Sequence, residues 1–287
     1  NQIEKISIGI PTFNSSKYLS DCLKSLEKFK TFNEIIISDD CSNLEDQKKI
    51  EEIVNFYKKK LPVYLIKNQK NLGAYQNKLS LIKASKNEYI YILDSDNIAG
   101  KNFDKIVKEH VLVEKRKDII FQPNIMYQFW RYPKTSKILG SFIKKYRVKF
   151  FNNDTFLDIE EVKKSLLINS GDYDLNVIEP GLEYLKEKNE KDILETKWIF
   201  WVLNCGNFIV NKNSMIEVAE KGLEFNRSLR SVDAIVFSYL WLDYGNKIKI
   251  PKNFYHHHRK RDDSVSFVEK EDSKNAILFF IKKVLNH

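Results

Sequence analysis

Asp94-Ser95-Asp96 places two carboxylates one residue apart at the end of Tyr89-Ile90-Tyr91-Ile92-Leu93, a run of β-branched, aromatic and aliphatic residues. The run is predicted to be a buried strand. Ending such a strand in two charges is costly unless a cation meets them. Side chains two apart on a strand face the same way, so both carboxylates are expected to reach one site at the strand's C-terminal edge. Hard oxygen ligands suit Mg²⁺ or Mn²⁺, ions that commonly partner phosphate oxygens. A solvated turn can also carry D-x-D, so its weight depends on what accompanies it.

Other residues along the chain have matching chemistry. Asp39-Asp40 closes the apolar run Glu34-Ile35-Ile36-Ile37-Ser38. Its carboxylates can accept hydrogen bonds from a base edge or ribose hydroxyls, or can cap a turn. Asp233 precedes the apolar stretch Ala234 to Leu242. It can serve as a general base or as a first-turn charge that complements the helix dipole. Asp243 is a rival base, but beside Tyr244-Gly245 it has the setting of a helix end. In Tyr255-His256-His257-His258-Arg259, alternation puts His256 and His258 on one face. Neutral imidazoles there can bind a Mn²⁺-like ion, or can be exposed polar groups of a basic loop. Arg259, with Lys260 and Arg261, offers planar forks for diphosphate oxygens. Trp130, Trp198, Trp201, Tyr127 and Tyr132 can stack on sugar rings or simply fill a core.

These residues have to be positioned by an ordered scaffold, and the first hundred residues supply one. Lys5 to Ile10 alternates as a strand, Pro11-Thr12-Phe13-Asn14 is expected to break it, and Ser15 or Ser16 to cap a helix running to about Phe29. A strand over Glu34–Ser38, a helix over Leu44–Lys60, a strand over Val63–Ile66, a turn at Asn71-Leu72-Gly73 and a helix over Ala74–Ala84 precede the Tyr89–Leu93 strand. This βαβαβαβ order predicts an α/β fold with a mostly parallel central sheet flanked by helices. Ligands of such sheets bind at the carboxyl ends of the strands, where Pro11, Thr12, Asp39, Asp40, Asn71, Asp94 and Asp96 fall. From Lys117 to about Glu195 a helical insertion is expected, with helix-like stretches at Ile159–Ile168 and Leu182–Lys188. Buried strand material is expected over Trp198–Val210, a buried helix over Asp233–Leu242 and a strand over Lys247–Ile250. The organisation expected is a nucleotide-sugar-binding half at 1–117, an acceptor half with the insertion at 118–262, and a tail at 263–287.

Together the motifs resemble family 2 glycosyltransferases of the GT-A (Rossmann-like) fold, closely over the first hundred residues and loosely beyond. The resemblance rests on Ser7-Ile8-Gly9-Ile10-Pro11-Thr12-Phe13-Asn14, on Glu34 to Ser42 with Asp39-Asp40, on Asn71-Leu72-Gly73-Ala74-Tyr75-Gln76-Asn77-Lys78 and on Asp94-Ser95-Asp96-Asn97. It implies a metal-dependent, inverting transfer from a nucleotide diphosphate sugar, a UDP-sugar foremost, to a glycan or glycoconjugate hydroxyl in surface polysaccharide biosynthesis. It implies nucleotide contacts from Pro11, Thr12, Asn14, Asp39, Asp40, Asn71, Gly73, Asn77, Asp94, Ser95 and Arg259, with Asp40 the closer match to the residue facing the base. By the same resemblance Asp96 is the first metal ligand, for Mn²⁺ or Mg²⁺, and Asp94 touches the ribose or the metal through water. His258, with His256 next, brings a C-terminal histidine to the metal. Asp233 matches the late acidic motif that supplies the base, although Val232 stands where many members have a second acid. Trp198, Trp201, Asn204 and Gly206 fall in the stretch that frames the acceptor. Residues 262–267 are expected to fold over the donor.

Composition narrows the alternatives. The 287 residues include 48 Lys+Arg against 39 Asp+Glu, a formal net charge of +9, and 43% are hydrophobic. The positive charge is spread over predicted helices, and no nucleic-acid motif accompanies it, so nucleic acid is not an expected partner. Cys22, Cys41 and Cys205 lack zinc spacing and do not form a disulfide framework. With neither a secretory signal nor a long apolar span, a cytoplasmic protein is expected. Ser273 to Leu285 carries Ile277, Phe280, Ile281 and Val284 on one helical face and lysines elsewhere. It can dock on the domain or make peripheral contact with the inner face of the plasma membrane. A sugar-1-phosphate nucleotidyltransferase would want a Gly-rich, Arg-containing loop after the first strand, which Pro11 to Asn14 is not. A nucleotide-sugar- or glycan-binding module without turnover is the non-enzymatic alternative, and Asp233 separates it from an enzyme.

Overall fold

The computed structural model describes residues 4–129, 145–163, 203–223 and 233–259, together with Lys283. The first half follows the expected alternation: β1 (Ile6–Thr12), α1 (Ser16–Leu26), β2 (Phe32–Asp39), α2 (Leu44–Tyr57), β3 (Val63–Lys67), α3 (Ala74–Ala84) and β4 (Tyr89–Ile92). Strands β3, β2, β1 and β4 lie side by side and pair in parallel. All their C-terminal ends therefore open on one edge.

Both faces of these strands are covered, so they are apolar throughout rather than alternating in polarity. Ile35, Ile37 and Tyr91 pack with Leu19, Leu23, Ile50 and Phe103 on the side of α1 and α2. Ile36, Ile90 and Ile92 pack with Leu79, Ile82, Val218 and Phe237 on the other. Each such large apolar side chain taken out of water contributes roughly 1.5–3 kcal/mol, so this double layer fixes the strand ends firmly.

Several boundaries differ from expectation for local reasons. Pro11 does not break β1: it pairs with Ser38 of β2, beyond Ser7–Gly9, the residues that pair with β4. A missing N–H is tolerated where one flank of the strand is no longer paired. Helix α1 ends at Leu26 and α2 at Tyr57, three residues short of expectation in each case.

The second half departs further. After the short β5 (Ile98–Ala99), α4 (Phe103–Ile106) runs through a π-helical turn (Val107–Val111) into α5 (Leu112–Glu114). Where a helical insertion was expected there are strands β6 (Ile119–Phe121), β7 (Ile125–Phe129), β8 (Lys145–Lys149) and β9 (Thr155–Leu157), while residues 159–163, the described part of the expected stretch Ile159–Ile168, are helical. The helix-like stretch 182–188 lies outside the described residues. Strand β10 (Phe208–Asn211) starts later than predicted, followed by α6 (Lys212–Glu220), α7 (Asp233–Asp243), β11 (Lys247–Ile250) and β12 (Tyr255–Arg259). The large sheet has the order β3-β2-β1-β4-β10-β6-β11-β9. It is mixed: β10 runs antiparallel to β4 and β6, and β9 antiparallel to β11.

A second sheet, β5-β12-β7-β8, was not foreseen. Its strand β12 is the histidine segment itself, so those residues are not a loop. Gly100 allows β5 and β12 to approach: a Cβ there would overlap the Tyr255 carbonyl oxygen and come within 2.9 Å of the Tyr255 ring. Replacing Gly100 with Ala is expected to destabilise the protein by about 1–3 kcal/mol through overpacking, read as a lower urea midpoint. An unchanged midpoint would mean that the two strands are free to separate.

Candidate active site

The loops leaving β1, β2 and β4 meet at one edge of the sheet, held together by buried polar contacts. Thr12 Oγ1 and Ser95 Oγ each lie 2.8 Å from Ser15 Oγ, a chain of three hydroxyls joining the β1 loop to the Asp94–Asp96 loop. The Asn14 N–H donates to Ser42 Oγ at 2.8 Å, and Asn14 Oδ1 accepts from the Asn43 N–H at 2.9 Å. Asn14 and Cys41 have positive φ, 47° and 60°, the left-handed conformation that tight strand-to-helix turns require. Thr12, Asn14 and Ser95 thus lie at the ends of β1 and β4, with Pro11 next to Thr12 in β1.

The two acids closing β2 have different environments. Asp40 accepts from the Leu72 and Gly73 N–H groups, both at 2.8 Å, and from Asn68 Nδ2 at 3.0 Å. Its carboxylate therefore holds the Asn71-Leu72-Gly73 loop, where Gly73 has φ 84° and also donates to Asn71 Oδ1. Asp39 bonds Ser42 Oγ, while its Oδ2 is buried without a hydrogen-bond partner. Burial raises the Asp39 pKa, against the Ser42 hydrogen bonds that lower it. Of the pair, Asp39 is the one with an acceptor to spare, whereas the resemblance had favoured Asp40. Asn77 is buried among β2 contacts: Oδ1 accepts from Ser38 Oγ and Asn68 Nδ2, and Nδ2 donates to the Ser38 carbonyl.

Strand alternation does not arrange Asp94 and Asp96. β4 ends at Ile92, and residues 94–97 form a turn closed by the Asn97 N–H donating to the Asp94 carbonyl at 2.9 Å. Asp94 points towards α3, where Lys78 Nζ lies 2.9 Å from Asp94 Oδ1 and 2.8 Å from Asp233 Oδ2. Asp233 stands in the first turn of α7, at its N-terminal end. Burial raises the Asp94 pKa, opposed by Lys78 and reinforced by Asp96 and Asp233. The Lys78 ammonium is disfavoured by burial, but Asp233 and Asp94 outweigh that and hold its pKa above the usual lysine value. Lys78 was missed in the sequence. The signal was its place on the stripe Tyr75, Lys78, Leu79, Ile82, the buried face of α3.

The 203–207 segment closes over these charges. Asn207 Oδ1 accepts from the Asp94 N–H at 2.8 Å. A Cβ on Gly206 would overlap Asp94 Oδ2 and lie 3.1 Å from Lys78 Nζ. Gly206 therefore packs against the carboxylates, while Asn204 is exposed. Trp198, Trp201, Trp130, Tyr132, Lys260, Arg261 and the 262–267 segment lie outside the described residues, as does the 273–285 segment apart from Lys283. Tyr127 packs edge-on to Tyr255 and against His257.

Strand β12 runs up to the Asp96 turn. The Arg259 N–H donates to Asn97 Oδ1 and Nε to the Asp96 carbonyl, each at 3.1 Å, and Nη2 meets Asp21 Oδ2 at 2.9 Å. Its guanidinium is buried over the Tyr18 and Phe129 rings. That is a correction: Arg259 is a strut under the loop and does not present its fork to a diphosphate. His256 and His258 share a face, their rings 5.9 Å apart. His256 is buried with both nitrogens unpartnered, and burial, then His258 and His257, push its pKa well down, leaving it neutral. Among the described residues no three His, Cys, Asp or Glu form a ready metal cage. Asp96 and His258 nonetheless lie on adjacent segments, and a carboxylate with an imidazole is a donor set that suits Mn²⁺ completed by phosphate oxygens, whereas Mg²⁺ would use the carboxylate without the imidazole. Among the described residues no helix is long and apolar enough to cross a membrane.

The comparisons with known proteins agree with this architecture. A family model described as glycosyl transferase family 2 matches residues 7–162, more than half of the chain. An uncharacterized glycosyltransferase of Methanocaldococcus jannaschii is 28% identical over 209 residues, 70% of this chain and 65% of the relative. One of Mycoplasma genitalium is 24% identical over 192 residues, 61% of this chain and 64% of the relative. The chain thus spans less than two thirds of each. Among solved structures, Staphylococcus aureus TarS 1-349 in complex with UDP-GlcNAc aligns with TM-score 0.59 and 18% identity over 98% of this chain and 67% of that one. GalNAc-T7 with UDP, GalNAc and Mn²⁺ aligns with TM-score 0.60 and 14% identity over 98% of this chain and 48% of that one.

Replacing Arg259 with Ala would remove the Nε donor to the Asp96 carbonyl and the guanidinium that meets Asp21. The expected loss is about 1–3 kcal/mol of stability, seen as a lower urea midpoint. A midpoint equal to that of the parent would remove Arg259 as a strut.

Proposed function

The chain belongs to glycosyl transferase family 2, and from that premise we propose that it is a metal-dependent inverting glycosyltransferase acting on a nucleotide diphosphate sugar. The observation that carries this reading is the meeting of Asp94, from the donor-side turn, with Asp233, from the start of α7, on one buried Lys78. A carboxylate for an acceptor proton thereby stands beside the strand edge at which α/β sheets bind their ligands. UDP is the proposed nucleotide, because solved relatives of the same fold carry UDP or UDP-GlcNAc. A glycan or glycoconjugate is the proposed acceptor; a relative in Staphylococcus aureus, 32% identical over 126 residues, is named poly(ribitol-phosphate) beta-N-acetylglucosaminyltransferase TarS.

Asp39 would accept hydrogen bonds from the base or ribose through its unpartnered Oδ2, and Asp40 would hold the Asn71–Gly73 loop around the nucleotide. Pro11, Thr12, Asn14 and Ser95 would form the floor, largely through the main chain. Asp96 and His258 would hold a divalent cation, with His256 behind them. Bound there, the cation supplies charge neutralisation for the departing diphosphate. Asp233 would take the proton of an acceptor hydroxyl. The hydroxyl oxygen would then form the new bond to the anomeric carbon as the bond to the diphosphate oxygen breaks, inverting the centre. Gly206 and Asn204 would border the acceptor, joined by Trp198 and Trp201. The 273–285 segment would provide peripheral membrane contact where the acceptor is lipid-linked.

Calorimetric titration with UDP, GDP, CDP and dTDP, each with Mn²⁺ and with EDTA, tests the donor site. UDP is expected to bind only with the metal, and Asp39→Asn and Asp96→Ala to weaken it by about tenfold or more, the scale of a lost charged hydrogen bond. Asp233→Asn should leave UDP affinity within threefold and abolish transfer. Failure of every nucleotide to bind folded protein would reject the reading.

A further inference from the structure

Lys78 is the charged residue at this site that the transfer chemistry sketched above does not use. It lies on α3, with only 4% of its side chain exposed. An ammonium has three hydrogens to donate, and here three acceptors surround it: Asp94 Oδ1 at 2.9 Å, Asp233 Oδ2 at 2.8 Å and the Gly206 carbonyl at 3.4 Å. The two carboxylates meet it as close ion pairs and the Gly206 carbonyl accepts its hydrogen bond, so its charge is balanced within the protein. The acceptors come from three different segments: the turn after β4, the start of α7 and the loop before β10. A glycine is needed at 206, because a Cβ there would press on both Asp94 and Lys78. The α3–α7 contact is itself braced: Tyr75, one turn before Lys78, stacks on Phe237 with ring centroids 4.3 Å apart and donates to the Ala219 carbonyl.

We propose that Lys78 is a positioning residue of the transfer reaction, a single buried ammonium that fixes the donor-side Asp94 and the base Asp233 in one frame. The role rests on the transferase reading. Two half-buried carboxylates brought to one place repel, and the cation between them offsets that repulsion and ties both to α3. With it, the base has one orientation relative to the donor-side turn. That orientation is what an in-line attack on the anomeric carbon needs.

The test uses Lys78→Met, Lys78→Arg, Asp233→Asn and the Lys78→Met/Asp233→Asn double variant of the full chain. UDP affinity is measured with Mn²⁺, and turnover as UDP release from UDP-glucose and UDP-N-acetylglucosamine, with water taking the sugar in place of the glycan hydroxyl. Lys78→Met is expected to keep UDP affinity within threefold and to lose on the order of 100-fold in kcat, the scale of a misplaced catalytic group. Lys78→Arg keeps the charge but shifts the donors, and should lose only about tenfold. The double variant should be no slower than Asp233→Asn alone, because residues acting as a unit are not additive. A Lys78→Met kcat within threefold of the parent, or a loss seen only in UDP affinity, would overturn the proposal. Should Lys78→Met not fold, an unchanged kcat in Lys78→Arg would overturn it equally. A parallel urea cycle separates this from the parent reading. Non-additive midpoints for Lys78→Met and Asp233→Asn support the frame, and additive ones overturn it. A parent protein that binds UDP but turns over no sugar nucleotide would instead count against the transferase.

Discussion

A carboxylate at the end of a buried strand must find a hydrogen bond, a cation or water, since an unpaired buried charge is far costlier than a fold's net stability permits. Four aspartates stand at the edge where β1, β2 and β4 end, and the surrounding structure can be traced to how each is satisfied. Asp40 is held by main-chain N–H groups and thereby shapes the Asn71–Gly73 loop. Asp94 is held by Lys78, which draws in Asp233 and the start of α7. The Asp96 turn is anchored through its main chain to Arg259, which fixes the end of β12 and the whole second sheet beside it. Asp39 keeps one oxygen without a partner. What is satisfied internally builds the scaffold, and what is left open is the means of recognition.

This division explains why the site is split between two halves of the chain that look so different in sequence. The parallel half delivers carboxylates through strand ends. The later half delivers their counterparts: a helix start, a strand end and a close-packed glycine loop. Its antiparallel strand β10 pairs with β4 along Phe208–Asn211, which brings the 203–207 loop directly over Asp94. Gly206 and Asn207 immediately precede β10, so the β10–β4 pairing places them beside Asp94.

The first half was legible in the sequence because local signals agreed with one another. Uninterrupted apolar runs, helix-period stripes and turn residues recur there in the order of a parallel sheet. The later half was less so. Helix α7 and strand β11 are legible at nearly their observed bounds, but strands β6 and β9 contain only three residues each, too short for periodicity to declare itself. Tyr255 to Arg259 looked like a polar loop because its burial comes from Ala99 and Met126, partners distant in sequence. Strand alternation placed Asp94 and Asp96 together for a reason the turn at 94–97 replaces. Arg259 has the composition of a phosphate clamp, and only the Tyr18 and Phe129 rings around it reveal a strut. Lys78 was visible in principle, as a lysine on an apolar stripe, but its two partners are known only once α3 and α7 are packed.

The central claim is that the strand ends of β1, β2 and β4 form a nucleotide site completed by Asp96 and faced by Asp233. A crystal structure of the chain with UDP and Mn²⁺ tests it most directly. The account predicts the uracil end beside Asp39, the diphosphate and metal at Asp96, and Asp233 and Lys78 still paired on the open side. Density for UDP at any other edge of the sheet, or with Asp39 and Asp96 both out of reach, would contradict it.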